Sequence, residues 1–270
     1  MDLKAYTIDR LDRVKKNAPL IHNITNFVVM NSSANILLAL GASPVMAHCP
    51  QEIKEMTALA GALVLNIGTL DDAWVESMLL AAETANRHHL PVILDPVGAG
   101  ATTLRTDTVK RILNHATVSV LRGNASEIFA LADAEVRTKG VDSSLALSPE
   151  VAEAARTLAR QTGCLLSISG EKDLITDGER TFRVSNGHPI MTRVTGLGCG
   201  LSAVTAAFCA VEADDRLLAC TAATAFYGLC GDLAARTTSG PGSFFTAFVD
   251  ALYTTGPREI ETGLRVEQTS

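Results

Sequence analysis

Through most of its length the chain alternates short apolar runs with longer stretches of helical periodicity. The runs Leu20–Asn23, Ser43–Ala47, Leu63–Ile67, Val92–Asp95, Val118–Leu121 and Leu165–Ser169 read as strands. Between them, Asn26–Leu40, Asp71–His88, Thr106–Asn114, Ala125–Ala132 and Pro149–Thr162 read as helices. Most of these strands are continuously apolar rather than alternating, as strands covered by helices on both faces must be. Strand–helix alternation of this kind predicts an α/β three-layer sandwich, with a mostly parallel central sheet and helices on both faces. The pattern then changes. Leu174–Thr176 and Thr181–Val184 flank Asp177-Gly178-Glu179, a hairpin signal. Beyond it the chain reads as helices only, over Leu201–Val211, Arg216–Arg236 and Gly242–Tyr253, followed by a polar, loose end from about Arg258. No linker or repeat interrupts residues 1–270, so a single domain is expected.

Composition narrows the class of protein. Hydrophobic residues make up 47% of the chain and charged residues 19%, enough for a large core. The net charge of −6 is spread along the chain, and no basic face points to nucleic acid. Residues Met1 to Pro19 carry charges throughout and lack the apolar region of a signal peptide. The apolar stretch Leu201–Val211 is too short to span a bilayer, so a cytoplasmic protein without membrane contact is expected. Six cysteines form no CxxC pair and no zinc spacing. Cys164, Cys209, Cys220 and Cys230 read as buried thiols. Cys199 differs, because its neighbours are glycines.

That cysteine sits in Val194-Thr195-Gly196-Leu197-Gly198-Cys199-Gly200, just before an Ala-rich helical stretch. Glycines let backbone amides approach a ligand, and a helix start offers free N–H groups and a positive dipole end. Together they predict an anion cradle around the Leu197 and Gly198 amides. The spacing fits neither GxxxxGK[ST] nor GxGxxG. The helix start is also expected to favour the Cys199 thiolate, as a nucleophile or as a base. His22 and His48 are candidate partners for it. Other polar residues collect at the carboxyl ends of strands, where open α/β sheets bind ligands. Among them Arg122 is a phosphate clamp, and Asp95 and Glu127 are carboxylates for a magnesium-bound phosphate. Asn124 and Glu127 also have the spacing of a capping box.

Several strings together resemble the hydroxyethylthiazole kinase family of the ribokinase-like superfamily. They are His22-Asn23-Ile24-Thr25-Asn26, Ala42-Ser43-Pro44-Val45-Met46-Ala47-His48, Asn66-Ile67-Gly68-Thr69, Asp95-Pro96-Val97-Gly98-Ala99-Gly100-Ala101-Thr102, Arg122-Gly123-Asn124-Ala125-Ser126-Glu127 and the glycine–cysteine segment. The resemblance spans roughly Pro19 to Pro257. It implies ATP-dependent phosphorylation of the primary alcohol of 4-methyl-5-(2-hydroxyethyl)thiazole in thiamin salvage, with Mg2+. It also implies a homotrimer with active sites between subunits. Met46 and Gly196 then contact the thiazole, and Asn23 lines its pocket. Arg122 and Ser169 bind ATP, and Asp95 and Glu127 serve the metal and phosphates. Cys199 stands where most of the superfamily has an aspartate base. Ser169 stands where the family often has Thr, and either hydroxyl serves.

Three other functions compete. A kinase of hydroxymethylpyrimidine or pyridoxal is disfavoured by the cysteine at 199. A cysteine hydrolase of similar build usually has a histidine positioned beside its cysteine, and ATP-dependent consumption of the thiazole without thiol-ester turnover separates it from a kinase. A nucleotide sensor needs no combination of Asp95, Glu127, Arg122 and Cys199.

Overall fold

The computed structural model describes residues 2–132 and 149–269. Helix α1 (Leu3–Asn17), capped by Asp2, leads into strand β1 (Leu20–Ile24). Then come α2 (Met30–Leu40), β2 (Ser43–Val45), α3 (Ile53–Leu59), β3 (Ala62–Asn66), α4 (Asp72–Arg87) and β4 (Val92–Asp95). The alternation continues through α5 (Thr103–His115), β5 (Val120–Asn124), α6 (Ala125–Phe129), α7 (Pro149–Thr162) and β6 (Leu165–Ser169). Next is the hairpin β7 (Asp173–Thr176) and β8 (Thr181–Val184), then a 3-10 turn at Pro189–Arg193. Helices α8 (Leu197–Ala210), α9 (Arg216–Ala235), α10 (Pro241–Thr254) and α11 (Pro257–Gly263) precede strand β9 (Val266–Gln268).

Among the described residues the strands form one sheet in the order β2-β1-β3-β4-β5-β6-β7-β8-β9. Pairs from β2 to β6 are parallel, and pairs from β6 to β9 antiparallel. Side chains alternate across this sheet and build two cores. Ile21, Val64, Ile93 and Val120 face one way, into a core shared with α1, α2 and α8 to α11. Ile24, Leu63, Leu65, Leu94 and Leu121 face the other, into a core with α3 to α7. The expected three-layer sandwich is therefore present.

The differences lie at boundaries, at the ends and in α3, which the sequence pattern does not indicate. Helix α8 begins at Leu197, four residues earlier than the apolar pattern indicates, because its first turn is made of glycines. The polar end is not loose. Ile260 and Leu264 are buried, the Arg265 N–H donates to Asn186 Oδ1, and Val266 pairs with Val184. Two apolar anchors suffice to order a segment whose composition is otherwise polar. Strand β9 also corrects the expectation of helices only after the glycine segment. Residues 3–17, dense in charge, form a helix held by buried Tyr6, Leu11 and Val14. Among the described residues one helix, α9, is long and apolar enough to cross a membrane, but 83% of that apolar window lies buried in the protein.

Candidate active site

Met46, Asn23, Asn66, Asp95, Arg122 and Ser169 stand at the carboxyl ends of β2, β1, β3, β4, β5 and β6, which are neighbours in that order. With ~4.8 Å between strands, the row extends over about 24 Å. Register fixes where these residues point. Asn66 is the Cα partner of Asp95, and Arg122 that of Ser167. Val64, Ile93 and Val120, two positions earlier on their strands, face the α8 side. Asn66, Asp95 and Arg122 therefore face that side too. All three are buried.

Above this row sits the first turn of α8, and its three glycines have three separate causes. Gly196 is the N-cap and has φ of 86°, a left-handed conformation natural to glycine, and a Cβ there would come within 2.9 Å of Val29. A Cβ on Gly198 would lie 3.0 Å from Arg122 Nη1, so this glycine admits the guanidinium to the helix start. A Cβ on Gly200 would lie 2.5 Å from Ile36 and 2.7 Å from the Tyr227 hydroxyl. That hydroxyl donates to Leu197 O at 2.8 Å and anchors the turn. No side chain caps the helix, which leaves its first N–H groups to a ligand. Arg122 also donates through Nη2 to Ser169 Oγ. Guanidinium and helix start thus converge on one place, a strong anion site.

Cys199, in the third helical position, is surrounded by amides and charge. Asn26 Nδ2 lies 3.6 Å from its sulfur and donates at 2.8 Å to Asn66 Oδ1. Burial, reinforced by the Asp95 carboxylate, pushes the Cys199 thiol up to about 11. This reverses the expectation of a thiolate at a helix start: loss of solvent outweighs the dipole. Burial likewise pushes the Asp95 carboxyl up to about 6, against the opposing pull of Arg122 and of Ser202. Ser202 Oγ donates to Asp95 Oδ2 at 2.7 Å. Ser202 is one helical turn beyond Cys199 and so faces the same strand ends.

The capping box at β5–α6 is present. Asn124 Oδ1 accepts from the Glu127 N–H at 2.9 Å, and Glu127 Oε2 accepts from the Asn124 N–H at 3.0 Å. Glu127 Oε1 accepts from the Gly98 N–H at 2.9 Å, which ties β5 to the turn after Asp95. Among the described residues no group of three His, Cys, Asp or Glu side chains forms a metal cage. Asp95 and Glu127 retain free lone pairs. They fit a magnesium ion that arrives with phosphate and water ligands, the usual way this ion is bound.

Neither candidate histidine serves Cys199. Buried His22 spends Nε2 on Ala47 O at 2.7 Å and Nδ1 on Thr57 Oγ1 at 3.0 Å, and burial lowers its pKa. His48 stacks on Trp74 at 4.1 Å. Cys164, Cys209, Cys220 and Cys230 are buried and free, as expected. Met46 and Asn23 occupy the β2 and β1 end of the row, away from Arg122 and Ser169. Sequence reasoning missed Asn26, Asn66 and Ser202. The first two stand inside strings whose individual roles had no spacing signal. Ser202 was accessible from its three-residue offset to Cys199.

Comparison with known proteins identifies the family. The family model described as "Hydroxyethylthiazole kinase family" matches residues 11–257. A hydroxyethylthiazole kinase of Desulfotalea psychrophila is 53% identical over 97% of this chain and 95% of that protein. The structure of a hydroxyethylthiazole kinase protein from Pyrococcus horikoshii superposes with a TM-score of 0.90 at 44% identity, covering 98% of this chain and 100% of that one. A ribokinase-like superfamily protein of Enterococcus faecalis shares the fold alone, with a TM-score of 0.66 at 14% identity, covering 92% of this chain and 95% of that one. On the match over residues 11–257 and the near full-length identity to its relatives, the chain belongs to the hydroxyethylthiazole kinase family.

Proposed function

We propose that this protein, as a single kinase domain, transfers the γ-phosphoryl group of ATP to the hydroxyl of 4-methyl-5-(2-hydroxyethyl)thiazole in thiamin salvage. The observation that carries this is the order of side chains along the sheet. The anion-binding pair Arg122 and Ser169 stands at one end of the row, the half-buried Met46 and buried Asn23 at the other, and Cys199 with Asp95 between them. A nucleotide bound at β5 and β6 then directs its terminal phosphate toward the first turn of α8. A thiazole between Met46, Asn23 and Gly196 presents its alcohol to the same point.

Phosphoryl transfer depends on positioning and charge stabilisation. The Leu197 and Gly198 amides and the Arg122 guanidinium meet the charge on the moving phosphoryl group. Asp95 and Glu127 hold the magnesium ion, which neutralises phosphate charge when bound. Cys199 lies beside the acceptor hydroxyl as a protonated thiol. With its pKa near 11, only about one thiolate in 10⁴ molecules exists at pH 7. It therefore contributes little as a base, and the alcohol proton leaves late in a loose transition state.

Two variants check this. Cys199→Ser is expected to lose no more than ~10²-fold in kcat, at the bottom of the range for general bases. Cys199→Asp, which places the superfamily's commoner residue there, is expected to keep kinase activity. A folded Cys199→Ser protein with no turnover contradicts the minor role. The activity itself is tested by coupled ADP release with the thiazole alcohol beside hydroxymethylpyrimidine. Turnover of the pyrimidine alone sinks the thiazole assignment.

The exposed apolar side chains Phe27, Val28, Leu38 and Leu59 flank the β1–β2 edge, where Met46 stands. This supports a homotrimer in which a neighbouring subunit closes the thiazole end of the site. Cytoplasmic location follows from the proposed metabolic role.

A further inference from the structure

Asn66 is wholly buried at the end of β3, and its amide has only one orientation that the surroundings allow. Oδ1 accepts two hydrogen bonds, from Asn26 Nδ2 at 2.8 Å and from the Gly68 N–H at 3.0 Å. Turning the amide over would set Nδ2 against two donors. The orientation is therefore fixed by the network. Gly68 is close by necessity, since a Cβ there would lie 2.6 Å from Asn26 Nδ2. Asn26 is itself held, because its Oδ1 accepts from the Val28 N–H at 3.1 Å.

The consequence is an Asn66 Nδ2 that meets no partner in good hydrogen-bond geometry, with only the Cys199 sulfur and the Asp95 carboxylate near enough to draw on it. Buried donors without a partner are rare in native structures. Asp95, its neighbour in register, accepts at Oδ2 from Ser202 and interacts only weakly with Asn66. The free N–H lies next to the Cys199 sulfur and Asp95, under the first turn of α8. A fixed and unpartnered donor at this point is built for an acceptor atom on a ligand. Phosphate oxygens are one source of acceptor, but Arg122 and Ser169 gather those two and three strands away. Asn66 stands on the side of Asn23 and Met46, between the two ends of the row.

We propose that Asn66 Nδ2 donates a hydrogen bond to the hydroxyl oxygen of the acceptor alcohol and holds it in line with the phosphoryl group. Asn66 is then a substrate-binding residue, with Asn26 and Gly68 as the groups that aim it. The inference rests on the thiazole reading above. It also explains how the alcohol is oriented without a strong base at Cys199: the N–H holds the oxygen, and a lone pair stays free for attack.

The test compares 4-methyl-5-(2-hydroxyethyl)thiazole with 4-methyl-5-ethylthiazole, which lacks the hydroxyl, by calorimetric titration. Wild type is expected to prefer the alcohol by roughly tenfold, the worth of one good hydrogen bond. In Asn66→Ala that preference falls to near unity, while affinity for the ethyl compound changes less than about threefold. Equal weakening of both ligands, with the preference kept, overturns the proposal and leaves Asn66 a merely structural role. Absence of binding by wild type to either ligand marks failure of the thiazole reading itself. Asn66→Asp covers the case in which the alanine variant does not fold, since it keeps both accepted hydrogen bonds and exchanges the donor for a carboxylate oxygen beside Asp95. Its kcat is expected to fall ~10–100-fold with KM for ATP unchanged. Wild-type kcat in Asn66→Asp overturns the proposal.

Discussion

Arg122→Met lowers kcat/KM for phosphoryl transfer by ~10³-fold, with most of the loss in kcat. Arg122 is buried and reaches two elements at once, with Nη2 on Ser169 Oγ and Nη1 against Gly198 at the start of α8. Its Nε has no partner in the protein, so part of its fork is unspent. Charge at this point adds to the positive end of the α8 dipole, and both act where water is largely excluded. Methionine fills similar volume without charge, so the fold is expected to survive. Arg122→Lys restores the charge but not the planar fork, and is expected to recover only part of the loss. Steady-state kinetics with varied ATP and thiazole separate the alternatives. A rise in KM for ATP with unchanged kcat means that Arg122 serves nucleotide binding alone.

The α/β sandwich was legible because its strands are buried on both faces and read as apolar runs. Val92–Asp95 and Leu165–Ser169 are reproduced to the residue. Boundaries failed where local composition opposed the tertiary result. Gly196, Gly198 and Gly200 weaken helix propensity, yet α8 begins among them because Tyr227, Ile36 and Arg122 require close approach. Ile260 and Leu264 order a tail whose polar residues dominate any local reading.

The candidate site was legible as residue types at strand ends, not as electrostatics. Nothing in the string around Cys199 reveals that Asp95 lies beside it and that solvent is excluded, so the sign of its pKa shift was read wrongly. Glu127 shows the reverse. Its capping box was legible from spacing alone, whereas its bond to Gly98 depends on two strands lying side by side. Asn66 was visible only as part of a string, because an unpartnered N–H exists only once its neighbours are in place.

Asp95→Asn is expected to stabilise the metal-free protein at pH 8 and to abolish most activity. Burial raises the folded pKa of Asp95 from its ordinary value of 3.8 to about 6. Between these values the folded state binds more protons than the unfolded one, so stability falls as pH rises through that window. The ionised carboxylate thus costs the fold about 3 kcal/mol above pH 6, as the shift of roughly two units implies. Asparagine avoids that cost while keeping an oxygen that can accept from Ser202 Oγ. That figure is already net of the attraction of Arg122, which lowers the Asp95 pKa against the larger effect of burial. Thermal unfolding in EDTA at pH 4 and pH 8 checks the sign. The advantage of Asp95→Asn must be small at pH 4 and grow toward pH 8. A constant difference across that range means that Asp95 carries no burial cost. A fold that keeps a destabilising carboxylate at the centre of its ligand row does so for charge that the bound phosphates and magnesium ion use, and asparagine cannot supply it.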